Sequence, residues 1–327
     1  MSGAGTAPAT TTTAPGGIRF GLSTPGYGEL ARLVTRARWA EAAGFSTFSV
    51  SDHLDAPSPF VTLGAAAVAT EHIRLGTLVL NNDLRHPAVL ARDAATLDRL
   101  SGGRLELGLG AGWAASEYLR AGLPYDPAGT RVDRLAETVA ALHALWSGEL
   151  VETHGEHVHL DGHFVVPRPD TGRGLPLLIG GNGDRVLRLA ARQASIVAFT
   201  GFGPDRDGQN IRSHISRAGL ADRVALVDRA AAHRDERPEL NVLVQYLAVT
   251  DDREYVATTI ARRWRTSLVE VLTCPFLAFG TVEEICLQLT RLRDDHGIGY
   301  VTVFDPHAED AAKVIAALAG AAGTVEG

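Results

Sequence analysis

Lysine is nearly missing from this chain. Lys313 is the only one in 327 residues, against thirty arginines, so Schiff-base chemistry would have one residue to draw on. Cysteine is scarce as well. Cys274 and Cys286 stand twelve positions apart and form no CxxC pair, which suggests neither a disulfide framework nor a zinc knot and fits a reduced cytoplasm. No apolar run is long enough to span a bilayer. No charged segment leads into an apolar core near the start, so no signal peptide is expected. A basic excess is absent too. The 31 positive residues against 38 negative give a net charge of −7, an ordinary surface with no stripe for nucleic acid. There is no GxSxG elbow, so a hydrolase nucleophile has no foothold.

What is present is apolar content, 45% of residues, and glycine. That content is enough for a large core. The length suggests about two domains by a general prior, but single α/β barrels also reach this size. Residues 1–17, MSGAGTAPATTTTAPGG, are small, polar and rich in Pro and Gly, and are expected to be a disordered tail. Residues 18–327 are expected to form a single domain.

From residue 18 onward, short β-type runs alternate with helical ones. Strands are expected at 18–25, 45–51, 73–80, 105–112, 175–181, 195–201, 240–250 and 300–305. Helices are expected at 29–43, 60–70, 87–100, 130–146, from Asp184, and at about 252–264, 281–295 and 308–320. Gly44 caps the first of these and Pro87 opens the third. Two excursions interrupt the rhythm, a hairpin at about 150–174 and a polar, Gly-rich stretch at about 203–215. Eight βα units imply a parallel sheet closed into a (β/α)8 barrel, with insertions near the C-terminal ends of the strands. A doubly wound sheet is the alternative, but it seldom needs eight such units. In a barrel the chemistry sits at the C-terminal ends of the strands.

Those ends carry distinctive residues. The second strand ends SVSDH, placing Asp52 and His53 side by side. A histidine there can move a proton near neutral pH; the plain alternative is a pair that closes a loop. The third ends LVLNN, with Leu78 and Val79 at the mouth and Asn81 and Asn82 able to bond a heterocycle edge or close a turn. The fourth ends LGLGAGW. Gly108, Gly110, Ala111 and Gly112 weaken a strand and offer little to pack, so something flat or charged is expected against that backbone. Trp113, Phe60 and Phe202 are candidate apolar walls of a substrate pocket. The fifth ends IGGNGDR. Gly180, Gly181, Asn182 and Gly183 run into a helix, whose free N–H groups and dipole favour a phosphate. Thr200 and Gly201 end the sixth strand and are candidates for similar contact. In HGEHVHLDGHF, His157 and His159 share one strand face as metal ligands do. No Cys or acidic helix completes that site, so it reads as a polar hairpin face and no metal is expected.

Residues 74–135 resemble the bacterial luciferase-like superfamily, and most closely its deazaflavin (coenzyme F420)-dependent oxidoreductase branch. LDRLSGGRLELGLGAGW is the most specific stretch, supported by GFSTFSVSDH, PLLIGGNG and GYVTVFD, and the resemblance covers nearly all of 18–320. It implies a (β/α)8 barrel, usually homodimeric, binding a flavin or deazaflavin across the mouth. Gly110, Ala111 and Gly112 then lie near the ring, and Gly180 to Gly183 hold the cofactor phosphate. Leu78–Val79 falls where many members carry a non-proline cis peptide. His53 becomes a proton donor, with Asp52 as its companion. The sugar-phosphate dehydrogenases of the family carry a Glu at the position of Trp113, a Trp near Pro57, and lysines for the substrate phosphate. This chain has none of these, so a small, non-phosphorylated substrate with an activated C=C or C=N bond is expected. The alternatives are a monooxygenase using reduced FMN, served by a separate reductase, and a cofactor-binding protein without turnover.

Overall fold

The computed structural model describes residues 17–170, 174–204, 210–212 and 214–323. The expected tail, apart from Gly17, and positions 205–209 and 213 of the second excursion lie outside the described residues.

Eight parallel strands close on themselves. They are β1 (Arg19–Thr24), β2 (Thr47–Val50), β3 (Arg74–Thr77), β4 (Leu105–Gly110), β5 (Leu177–Gly181), β6 (Ile196–Phe199), β7 (Glu239–Val244) and β8 (Tyr300–Phe304). Each pairs with the next in chain order, and β8 returns to β1 with Arg19 opposite Tyr300. This is the (β/α)8 barrel expected from the strand count. Around it lie α1 (Leu30–Ala42), α2 (Pro59–Ala69), α3 (Pro87–Leu100), α4 (Ala128–Ser147), α5 (Asp184–Gln193), α6 (Arg217–Ala231), α7 (Val282–His296) and α8 (Ala308–Gly323). Helices at Ala115–Ala121, Arg253–Trp264 and Leu268–Thr273 are inserted between these units. No described helix is long and apolar enough to cross a membrane.

The helix ends follow the local chemistry. Pro87 opens α3 behind a His86 side chain that accepts from Ala88 N–H. At α7, Thr281 and Glu284 form a reciprocal capping box, and Gly297 closes the other end with φ of 70°. The hairpin expected at 150–174 pairs Val151–His154 with His159–His163. Glu137 of α4 ties its turn down by accepting from the N–H groups of Glu156, His157 and Val158.

Three expectations need correction. The run expected as one strand at 240–250 is split. Its first half is β7, but Tyr246–Val249 leaves the barrel and pairs with Leu277–Gly280, a strand not anticipated. The third strand breaks at Leu78–Val79, and Leu80–Asn81 re-pairs with Leu109–Gly110. Helix α6 was also not anticipated; Ser216 caps it through Gly219 N–H.

Outward strand residues such as Phe48, Leu75, Leu107, Ile179, Val197 and Val242 are fully buried under the helices. The inner face is different, lined by small and polar residues together with a separate apolar cluster of Leu178, Ile196, Ala198 and Tyr300. A Cβ at Gly21 would meet Tyr300 and Thr302, and one at Gly76 would meet Thr47 and Ser49. At the N-terminal end the barrel is stoppered by charge. Arg19 donates to Glu106 at 3.1 Å and to Glu239 at 2.6 Å, lies 3.6 Å from the centre of the Tyr300 ring, and shares Glu106 with Arg74. Burial alone would pull the Arg19 guanidinium down, but Glu106 and Glu239 hold it well above its ordinary value. Burial and the Glu106 charge push the Tyr300 phenol up to about 12. The floor is therefore closed, and a ligand entering the barrel must come from the opposite end.

Candidate active site

At that opposite end, the residues following β2, β3, β4 and β5 converge. Asp52 and His53, neighbours in sequence, take different partners. Asp52 is buried and forms a two-point ion pair with Arg85, with Nη2 to Oδ1 at 3.0 Å, while also accepting from Asn81 N–H at 3.0 Å. It makes no hydrogen bond to His53 among the bonds of the described residues. Its bonds thus go to Arg85 and Asn81 rather than to the adjacent His53, and a carboxylate held by a guanidinium ties the β2 loop to the β3 loop.

His53 finds its carboxylate elsewhere. Its Nδ1 lies 2.6 Å from Glu117 Oε1, and Leu54 N–H reaches Glu117 Oε2 at 3.4 Å. Glu117 is carried by the inserted helix Ala115–Ala121 and is only 11% exposed. Trp113 sets its ring edge-on to His53, with centroids 6.2 Å apart and planes at 83°. The next residue along that helix, Tyr118, donates its hydroxyl toward Asn81 Oδ1 at 2.9 Å and Asp83 Oδ2 at 3.0 Å. Burial, followed by the Asp83 charge, pushes the Tyr118 phenol well above its ordinary value. Consecutive residues of one short helix therefore clamp two strand ends. Sequence reasoning passed over Glu117, Tyr118 and Arg85.

The Leu78–Val79 peptide is cis. Its bulge answers the question raised by the glycines of β4. A Cβ at Gly110 would stand 2.7 Å from Val79 Cγ2, and one at Gly108 would stand 1.9 Å from the Thr77 carbonyl oxygen. A Cβ at Gly180 would stand 3.1 Å from Cγ1 of the same Val79 side chain. The space a Cβ would take at Gly108 and Gly110 is filled by β3 itself, by the Thr77 carbonyl and the Val79 side chain. Gly112, with φ of 76°, makes room for the Tyr118 hydroxyl and Asn81. Gly201 likewise admits the Phe276 ring. Ala111 is half-buried, and its carbonyl accepts from Arg131 Nε at 3.3 Å.

Of the β5 turn, Gly181 lies against Val186, whereas a Cβ at Gly183 would meet nothing within 4 Å. Gly183 is the N-cap of α5 and supplies no side-chain cap. The first N–H groups of that helix thus face an open position, the arrangement that receives an anion. Asp184 puts a carboxylate in the same turn, but a hydrogen bond from Arg223 neutralises it and holds it below its ordinary value. Asn182 is buried beside them. Asn82 is also buried, and neither amide atom has a hydrogen-bond partner.

The other expected contacts scatter. Thr200 turns its hydroxyl onto the Phe202 carbonyl at 2.7 Å. Phe202 packs edge-on against Trp264, at 5.8 Å between centroids. Phe60 lies against the core beneath Arg85. Among the hairpin histidines, His154 pairs with Glu152 at 3.3 Å, and its ring is tilted 55° to that of His159 with centroids 6.4 Å apart. No group of three or more potential metal ligands occurs among the described residues.

The sequence profile of the luciferase-like monooxygenase family matches residues 10–284. An F420-dependent glucose-6-phosphate dehydrogenase of Beutenbergia cavernae is 36% identical over 212 residues, spanning 62% of this chain and 61% of that protein. The chain thus covers about three fifths of that relative's length. Among solved structures, the coenzyme F420-dependent tetrahydromethanopterin reductase of Methanopyrus kandleri superposes with a TM-score of 0.73 at 19% identity, covering 91% of this chain and 96% of that one. A monooxygenase of Streptomyces bottropensis superposes equally well, with a TM-score of 0.73 at 20% identity over 93% of this chain and 98% of the other. These two likenesses establish the fold.

Proposed function

This chain belongs to the luciferase-like monooxygenase family, and on that premise we propose that it is a cytoplasmic oxidoreductase that moves a hydride between coenzyme F420 and a small, non-phosphorylated substrate with an activated C=C or C=N bond. The observation that carries this reading is the uncapped start of α5 beside Gly183, set in the same mouth as His53. The N–H groups at the head of α5 would hold the cofactor phosphate. The Leu78–Val79 bulge, with Ala111 and Gly112 beside it, would support the ring. When bound, a deazaflavin supplies a carbon centre that gives or takes hydride and lacks the ring nitrogen through which a flavin activates oxygen. His53 holds or moves the accompanying proton, and Trp113, 44% exposed at the rim, stands edge-on beside it. The only lysine, Lys313, pairs with Asp310 at 2.7 Å on α8. No lysine is then left for a substrate phosphate, so a sugar phosphate such as the Beutenbergia relative's name indicates is not the substrate assigned here.

The second reading, a monooxygenase using reduced FMN from a separate reductase, is favoured by the family's description and by the Streptomyces likeness. Titrating the full chain with each oxidised cofactor, followed by fluorescence, separates the two. Tight F420 binding with weak FMN binding is expected; tight FMN binding with no deazaflavin binding would reject the first reading. The His53→Ala variant is expected to bind cofactor but lose turnover in a substrate screen. Unchanged turnover would point instead to a binding protein without a catalytic role for His53.

The functional unit is a homodimer. Helix α2, PFVTLGAAAVA, contains no charged residue yet leaves Val61 76% and Val68 90% exposed, and a helix apolar on every side belongs in an interior. A second copy is assigned to that face.

A further inference from the structure

We infer that Glu117 is a positioning residue that decides which nitrogen of His53 presents its lone pair. The inference rests on the reading above only for what His53 does with that lone pair. An ionised carboxylate has acceptors and no donor. At 2.6 Å from Nδ1, Glu117 therefore keeps the proton on Nδ1 in the neutral ring as well as in the charged one. The nitrogen that gains and loses a proton is then Nε2. The neutral ring is a base at Nε2, and the charged ring is a donor there.

The surroundings make this assignment stiff. Glu117 is nearly buried, with its second oxygen facing Leu54 N–H. The residue after it, Tyr118, is bonded to both Asn81 and Asp83, which holds the helix carrying Glu117 against the strand ends. Trp113 abuts the imidazole edge-on and limits its rotation. Asp52, the acid adjacent in sequence, is occupied by Arg85. A carboxylate on one imidazole nitrogen fixes the tautomer and orientation of the ring, which is how orienting residues act on catalytic and metal-binding histidines.

Two measurements on cofactor-free full-length protein test this, so the result stands whatever cofactor the barrel takes. In the first, ring ¹⁵N spectra of histidine-labelled protein are recorded at alkaline pH, with His53 assigned by its loss in His53→Gln. Wild type is expected to show Nδ1 protonated and Nε2 bare. In Glu117→Gln, the amide oxygen stays with Leu54 N–H and the NH₂ turns to Nδ1, so the proton is expected to move to Nε2. In the second, carbethoxylation of His53 by diethyl pyrocarbonate is timed by mass spectrometry. Glu117→Gln is expected to slow it by about tenfold or more, in the direction seen when an amide replaces an orienting carboxylate, with the melting temperature unchanged. A merely structural tie would leave that rate where it is. A wild-type ring protonated on Nε2, a tautomer that does not change in Glu117→Gln or in Glu117→Ala, or equal carbethoxylation rates would overturn the inference.

Discussion

Adding one methyl group to β4 tests how the barrel mouth is built. In Gly110→Ala, the new Cβ would stand 2.7 Å from Val79 Cγ2, closer than carbon atoms approach. Gly108 and Gly180 border the same side chain, and a Cβ built on either would stand 3.3 or 3.1 Å from Val79 Cγ1. Overpacking of this kind costs about 1–3 kcal/mol. Val79→Ala alone removes two methyl groups from a half-buried site and should cost about 1 kcal/mol, at the low end for such truncations. Were the sites independent, the double variant would lose the sum, about 2–4 kcal/mol. Because they share one contact, Val79→Ala/Gly110→Ala is expected to lose at least about 1 kcal/mol less than that sum. Gly108→Ala is the control. Its Cβ meets the Thr77 carbonyl at 1.9 Å, a backbone atom that Val79→Ala does not relieve, so the same pairing should recover little. Chemical denaturation of the three single variants and the two doubles provides the measurement. Additivity for the 79/110 pair within about 0.5 kcal/mol, or equal rescue of Gly108→Ala, would refute the claim that the β4 glycines exist to seat the β3 bulge.

Three further outcomes follow from the same structure. Glu106→Ala leaves Arg19 and Arg74 buried without their shared carboxylate and is expected to cost about 3–5 kcal/mol by denaturant titration; a loss under about 1 kcal/mol would show that water reaches the barrel floor. For Glu41 and Glu137, burial pushes upward, but backbone N–H groups prevail and lower each carboxyl below its ordinary 4.5. Their stabilisation is therefore whole above that value and drains as pH falls through the lowered one, so melting temperature should fall on acidification, and less steeply in Glu41→Gln/Glu137→Gln; parallel curves would contradict this. On the proposed homodimer, Val68→Glu should give a monomer in light scattering without lowering helix content, whereas a dimeric mass would place the interface elsewhere.

The barrel was legible because its signals are local and periodic. Pro87 and the Gly102–Gly103 pair bracket α3, and the expected span 87–100 is the observed one. Apolar alternation with Gly or Pro punctuation located all eight barrel strands. Where tertiary pairing overrode local pattern, legibility ended. Tyr246–Val249 continues the apolar run of β7, and nothing in its composition says that it leaves the barrel for Leu277–Gly280. The site divides in the same way. His53 could be singled out by its place at the end of β2. Glu117 could not, since 64 positions separate it from its partner, and a glutamate in the first turn of a short helix reads as a solvated face favoured by the helix dipole. Asp52 was drawn to His53 by adjacency alone, but successive residues leaving a strand point to opposite sides. That divergence sends Asp52 to Arg85 and leaves His53 free to take a carboxylate from another element. The glycines make the same point from the other direction. Their density at the end of β4 does mark a close approach, but what approaches Gly108 and Gly110 is β3 itself. The side-chain-free backbone of β4 seats a bulge, and on the proposed function it is the bulge rather than the bare strand that would meet a ligand.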